Sequence, residues 1–232
     1  ALLAMGDHLV VSKGNTINEI VKDKIKIICR LKISKKFYEE NSETIVSLQK
    51  SIRLNINKFK PDLVIFLGDR KEILLTAISC FFLNIKIIHI SGGEKTIGSK
   101  DDIHRHLISK FSDYHFVSEL QYKQRLIQLG EDKNKIHVIG SLASENIKNL
   151  KFTSKNYIEK KYCFKFLKNN ALITFHPDTS KKIYTGKDFD VLLESLQKFP
   201  NLLKIFNYPN ADSGSDKIIS KIKRFKKNKK NV

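Results

Sequence analysis

Short apolar runs, acidic or glycine-rich turns and longer stretches of helical periodicity follow one another along this chain. The clearest case spans residues 61–106. LVIFL at 63–67 ends in Gly68-Asp69-Arg70, and IKIIHI at 85–90 ends in Ser91-Gly92-Gly93-Glu94. Residues 71–83 between them are apolar enough for a helix buried on one face. Two buried strands joined by a helix predict a right-handed βαβ unit with parallel strands. Both turns then fall at the carboxyl edge of the sheet, where open α/β sheets bind ligands. Asp69, Glu94, Asp101 and Asp102 are therefore expected to converge on one crevice.

The same alternation continues on either side. Before the central stretch, Asn15 is expected to cap a helix to about residue 22, with a short strand over 25–31 and a helix over 42–59 striped by Ile45, Leu48, Ile52, Leu54 and Ile56. After it, residues 103–111 continue the helix opened by the second acidic turn, and there follow a strand over 114–117, a helix over 119–130 ended by Gly130, a strand over 136–139 and a helix from about Ala143. The pattern lapses into lysine- and asparagine-rich sequence over 152–170, with one helical segment, and a domain boundary is placed near 165. Strand 171–175, the turn His176-Pro177-Asp178-Thr179, helix 188–199, strand 202–206, the turn Tyr208-Pro209-Asn210 and helix 216–227 then complete the chain.

Repeated strand and helix predict the α/β class, with doubly wound parallel sheets in two Rossmann-like domains, 1–165 and 166–232. Two strands with their helices are too few to bury a core alone, and the chain opens on an apolar run. Both domains are accordingly expected to be incomplete, the first lacking its first strand.

Composition adjusts this picture little. At 232 residues and 41% hydrophobic content the chain is globular, and no apolar run approaches the roughly 20 residues of a membrane span. The opening residues include Asp7 and His8 and lack the basic start of an export signal. Cys29, Cys80 and Cys163 are widely spaced, as expected of free thiols in a reducing cytoplasm. The formal charge of +19 invites a nucleic-acid reading. The lysines, however, are spread along the chain, only residues 221–230 cluster, and no nucleic-acid motif accompanies them, so a lysine-rich solvated surface is the better reading.

Candidate chemistry lies in the turns. Gly93-Glu-Lys-Thr-Ile-Gly98-Ser-Lys resembles a P-loop superficially, but that motif needs lysine followed by Ser or Thr, and here Ser99 precedes Lys100. His89, His104, His106 and His176 raise a metal site, yet His104-Arg105-His106 has no third ligand at a diagnostic spacing. Each carboxylate alone can be structural, Asp69 orienting its turn and Asp101 and Asp102 favouring the start of a helix. Gathered at neighbouring strand ends they can divide acid and base roles. Asp101 and Arg105, like Asp102 and His106, are four apart on one helix face, where an anionic ligand could meet Arg105 and His106.

These residues carry a resemblance. Gly68-Asp69-Arg70, the HxxGGE run from His89 to Glu94, the DDIHRH helix from Asp101 to His106, the HPxT run from His176 to Thr179, and Tyr208-Pro-Asn-Ala-Asp212 occur in the order found in hydrolysing UDP-N-acetylglucosamine 2-epimerases of sialic and legionaminic acid synthesis. The resemblance runs from about Gly6 to the end. It implies a GT-B architecture with a sugar nucleotide in the cleft, and a reaction that removes the C2 proton, eliminates UDP through a glycal and adds water to give free N-acetylmannosamine or a diamino relative. No metal or nicotinamide is implied. Carried over by motif position, Asp69, Glu94, Asp101 and His176 are the catalytic candidates, and Gly68, Arg70, Gly92, Gly93, Asp102, Arg105, His106, Thr179 and Asn210 are expected to contact the UDP-sugar. The full-length protein is expected to be homo-oligomeric and to bind neither specific nucleic acid nor membrane.

The sequence departs from the family where some sialic-acid members carry an acid and this chain has Ser91. The family's amino-terminal nucleotide-holding loop would precede Ala1, and its second-domain UDP-holding turn would come after Val232. The runner-up readings are a non-hydrolysing epimerase, which returns UDP to the product, and a non-catalytic sugar-nucleotide-binding fragment.

Overall fold

Asn41 starts the first long helix: its side chain accepts the Thr44 amide at 3.1 Å, which satisfies one of the donors that a helix start leaves open. In the computed structural model, which describes residues 1–11, 14–38, 41–177, 186–209, 214–227 and 231–232, the elements preceding it are β1 (Leu2–Met5), α1 (Ile17–Lys22), β2 (Ile27–Leu31) and α2 (Lys35–Tyr38). The helix itself is α3 (Ser42–Phe59), followed by β3 (Leu63–Leu67), α4 (Lys71–Phe82), β4 (Lys86–Ile90) and α5 (Asp101–Lys110). Next come β5 (Tyr114–Val117), α6 (Leu120–Gln128), β6 (Ile136–Val138), α7 (Leu142–Asn149) and α8 (Lys155–Tyr162). The chain continues through β7 (Asn169–Thr174), α9 (Lys187–Gln197), β8 (Leu202–Asn207) and α10 (Ser215–Lys226).

The chain divides into two units, Ala1–Lys148 and Asn149–Val232. In the first, β3, β4, β5 and β6 form a parallel sheet in that order, and β1 and β2 form a separate parallel pair. Phe66, His89, His115 and Ile136 lie side by side across the four strands, and all are buried. That face packs against Leu48, Ile52 and Ile56 of α3, Ala77 and Cys80 of α4 and Ile108 of α5. Farther along the sheet, Val117 and Ile136 meet Leu126 of α6. The alternate positions Leu63, Ile65 and Leu67 of β3 are exposed. The helices α3, α4 and α5 thus pack on the face of the sheet that carries Phe66 and His89, and α5 also shapes the carboxyl edge.

In the second unit β7 and β8 pair in parallel, and Phe189, Leu193, Ile218, Ile222 and Phe225 form its core. The division falls at Lys148/Asn149, whereas the sequence places a boundary near 165. The intervening segment is tied to the residues that lead into β7: Glu159 of α8 accepts the Phe166 amide at 2.9 Å and the Lys165 ammonium at 2.7 Å.

One local expectation is corrected. Asn15 does not cap α1; it adopts a left-handed conformation (φ 46°), and Thr16 takes the cap position without a side-chain bond. α5 opens at Asp101, where the acidic turn was expected to start a helix, and the Asp101 amide donates to the Ser99 hydroxyl at 3.1 Å.

Candidate active site

The βαβ geometry places two turns together. Gly68 follows β3 in a left-handed conformation (φ 85°), and its amide donates to the Ile90 carbonyl at the end of β4 at 3.1 Å. Ser91 has φ 65°, unusual for a residue with a side chain, and its amide donates to Phe116 of β5 at 2.9 Å. Gly93 (φ 74°) has no room for a Cβ, which would lie 2.5 Å from the Tyr122 carbonyl, and Arg125 of α6 donates to the Gly93 carbonyl. The Asp69 and Glu94 turns are thus each anchored to the neighbouring strand or helix.

The acidic helix α5 closes the arrangement. Arg105 is 5% exposed and pairs with Asp69 across the turn and with Asp102 at 3.4 Å. Asp102 also accepts the Thr96 amide at 2.7 Å and lies 3.7 Å from His106 Nε2, while Arg105 donates to the Thr96 hydroxyl at 3.1 Å. A guanidinium is the suitable partner because it stays charged when buried and its fork can hold two carboxylates. Asp102, which reads from sequence mainly as support for the helix start, therefore shares its arginine with Asp69. Asp101 stands apart from this knot: its partner is His104, at 3.4 Å, and that imidazole holds the Asp101 carboxyl below its ordinary value. Burial lowers the pKa of His106, and Arg105, Arg125 and Lys95 add to the effect against Asp102.

Glu94 and Ser91 line a cavity of about 420 Å³ with Leu67, Ile90, Phe116 and Ser141. Arg70 lies 3.7 Å from Asp7, at the end of β1. The structure brings Gly68, Asp69, Gly92, Gly93, Glu94, Asp102, Arg105 and His106 to one strand edge. His176 lies in the second unit, beyond the end of β7, and Thr179 and Asn210 lie outside the described residues. Among the described residues no group of three His, Cys, Asp or Glu side chains could hold a metal ion. Among them, too, no helix is long and apolar enough to cross a membrane.

Sequence reasoning read His89 as a metal candidate and as the first residue of the HxxGGE run, and assigned it no role in the site. It is fully buried in β4, its Nδ1 lies 2.9 Å from Ser109 Oγ and its Nε2 lies 2.8 Å from the Gly68 carbonyl oxygen. Burial lowers its pKa to about 4. The signal was available: His89 occupies an inward position of β4, two residues after the buried Ile87.

The family model for UDP-N-acetylglucosamine 2-epimerase matches residues 1–232. The chain belongs to the UDP-N-acetylglucosamine 2-epimerase family. A hydrolysing GDP/UDP-N,N'-diacetylbacillosamine 2-epimerase of Campylobacter jejuni is 42% identical over 220 residues, covering 91% of this chain and 55% of the relative. A polysialic acid biosynthesis protein of Escherichia coli is 38% identical over 230 residues, covering 97% of this chain and 58% of the relative. The chain thus spans between half and two thirds of the length of these family members. The crystal structure of a UDP-GlcNAc 2-epimerase from Neisseria meningitidis bound to UDP-GlcNAc superposes with a TM-score of 0.75 at 20% identity, covering 94% of this chain and 60% of that one. This likeness is one of fold: the epimerase fold is α/β of the GT-B-like type, with Rossmann-like units built on parallel sheets.

Proposed function

We propose that this chain carries the catalytic edge of a hydrolysing UDP-sugar 2-epimerase, acting on UDP-N-acetylglucosamine or a UDP-diacetamido-sugar. The reading is supported by the cluster in which one buried arginine joins Asp69 and Asp102 beside the Glu94 turn. It is further supported by 42% identity to a relative described as hydrolysing. Buried Arg105 Nε and His106 Nδ1 have no hydrogen-bond partner among the described residues. Both atoms can therefore bond a ligand that enters beside Asp102, which is what the reading requires of Arg105 and His106.

In the proposed reaction a carboxylate takes the proton from C2 of the sugar, the C2–H electron pair forms the C1=C2 double bond, and the C1–O bond to UDP breaks with its pair leaving on UDP. Water then adds its hydroxyl to C1 while a proton is delivered to C2 on the opposite face. The products are UDP and the free 2-epimeric sugar, N-acetylmannosamine or a diacetamido relative for nonulosonic (sialic or legionaminic) acid synthesis. Such steps need placed acids and bases and a stabilised leaving group, which is why neither metal nor nicotinamide enters the proposal. Asp69, Glu94 and Asp101 are the proposed acid/base groups, and Arg70, Asp102, Arg105 and His106 hold the substrate with Gly68, Gly92 and Gly93. His176, Thr179 and Asn210 are the proposed contacts from the second unit. The enzyme is proposed to be cytoplasmic and homo-oligomeric.

Product analysis by NMR on the full coding sequence that carries these residues tests the reading. Free UDP and a free 2-epimeric sugar are expected. A UDP-linked mannosamine product would select the non-hydrolysing reaction, and UDP binding without turnover would select a binding protein.

A further inference from the structure

We propose that His89 is a positioning residue that fixes the Asp69 turn relative to the Glu94 turn, acting through the Gly68 carbonyl and the Ser109 hydroxyl; its catalytic consequence rests on the reaction proposed above. An imidazole buried in an apolar strand must satisfy both ring nitrogens or bear the loss of hydration. The two partners here settle which nitrogen carries the proton. A carbonyl oxygen can only accept, so Nε2 is protonated and donates to Gly68 at 2.8 Å. Nδ1 is then the acceptor, and the Ser109 hydroxyl donates to it at 2.9 Å.

One ring therefore joins three elements, the end of β3, the middle of β4 and the inner face of α5. The Gly68 carbonyl belongs to the peptide that leads into Asp69, and the Gly68 amide is held by Ile90 at 3.1 Å. With both sides of Gly68 fixed, the direction in which Asp69 leaves the strand is fixed. Ser109 stands one helical turn after Arg105, the residue that grips Asp69. The contacts close a ring: Asp69 to Arg105, along α5 to Ser109, through His89 to Gly68, and back to Asp69. The second turn rests on the same imidazole, because a Cβ on Gly92 would lie 2.8 Å from Ser109 Oγ and 3.0 Å from His89 Nδ1. Carboxylates that trade protons with a sugar carbon act only from the right place, and a misplacement of about 1 Å can lower turnover about 100-fold.

The substitutions His89→Gln and His89→Asn separate the two contacts. A glutamine amide reaches the place of Nε2 and keeps the bond to Gly68, whereas asparagine reaches only the place of Nδ1. In the full coding sequence, with UDP release measured from UDP-N-acetylglucosamine and its diacetamido analogue, His89→Asn is expected to lower kcat about 100-fold with KM within about threefold. His89→Gln is expected to stay within about tenfold of the parent, and Ser109→Ala to fall between the two. Nitrogen NMR of the parent is expected to show the Nε2–H tautomer, with His89→Asn displacing the amide signals of residues 68–70 and His89→Gln leaving them in place. An Nδ1–H tautomer, unchanged 68–70 signals in His89→Asn, or equal loss of kcat in the Gln and Asn variants at equal loss of Tm would each overturn the proposal. If the parent releases no UDP, the reaction reading fails by itself, and the tautomer and amide signals still decide the role of His89.

Discussion

His89 and His115 are register partners on neighbouring strands, both fully buried on the same face of the sheet, yet they are held in opposite ways. His89 faces a hydroxyl and a carbonyl, neutral groups that specify one tautomer and give a positive charge no counter-ion. His115 faces Glu131, with Nε2 and Oε2 at 3.3 Å, and Glu131 in turn takes the Lys110 ammonium at 2.6 Å. Burial lowers the pKa of both rings, but at His115 the carboxylate opposes it. The first histidine is tied to the turns that carry the candidate carboxylates. The second is tied to the far ends of α5 and α6, with its Nδ1 left unsatisfied among the described residues. Burial alone therefore does not distinguish the two histidines; the elements their nitrogens join do.

The largest effect expected from this contrast is on acid stability. The His89 pKa of about 4 in the fold lies below its ordinary value of 6.5, so the folded state binds the proton less readily than the unfolded state. The neutral ring's contribution is complete above pH 6.5 and is lost as pH falls towards 4, by about 3 kcal/mol in all. Urea titrations at pH 7 and pH 4 are expected to show that loss in the parent and to show it reduced by about that amount in His89→Gln. An unchanged pH dependence in the variant would remove the distinction drawn for His89.

Gly92→Ala probes the same contrast from the other side. Its Cβ would press on the His89–Ser109 pair, with an expected cost of about 2 kcal/mol, read as a lower urea midpoint, and with a fall in kcat. The smallest effect belongs to the neighbouring ring. Glu131→Gln removes the charged partner of His115 and is expected to cost about 1 kcal/mol at pH 7, while kcat stays within about threefold. A large fall in kcat there would mean that the two histidines are not functionally separate.

The periodicity was informative where strands are continuous apolar runs and helices carry a clean stripe. β3, β5 and α3 have the ends the pattern predicts, and Leu48, Ile52 and Ile56 are buried as expected, whereas Leu54, placed in the same stripe, is exposed because it lies two residues from Ile52 and Ile56 and so on another side of the helix. It was silent on α2, four residues too short to show a period, although Phe37 there is 1% exposed. The acidic turns were legible as a group. The division between Asp101 and Asp102 was not, because it depends on how α5 is rotated about its axis. Spacing alone matches Asp101 with Arg105 four residues on; in the fold Arg105 meets Asp102 and reaches across to Asp69. Spacing along one helix cannot reveal a partner contributed by another strand.

The most direct measurement on the proposed reaction is turnover of the UDP-sugar in deuterated water by the full coding sequence, with the products read by NMR. Free UDP is expected in equal amount to a free sugar that carries one solvent deuterium at an inverted C2. A product that keeps its original C2 hydrogen, or that remains joined to UDP, would contradict the elimination and hydration proposed for this site.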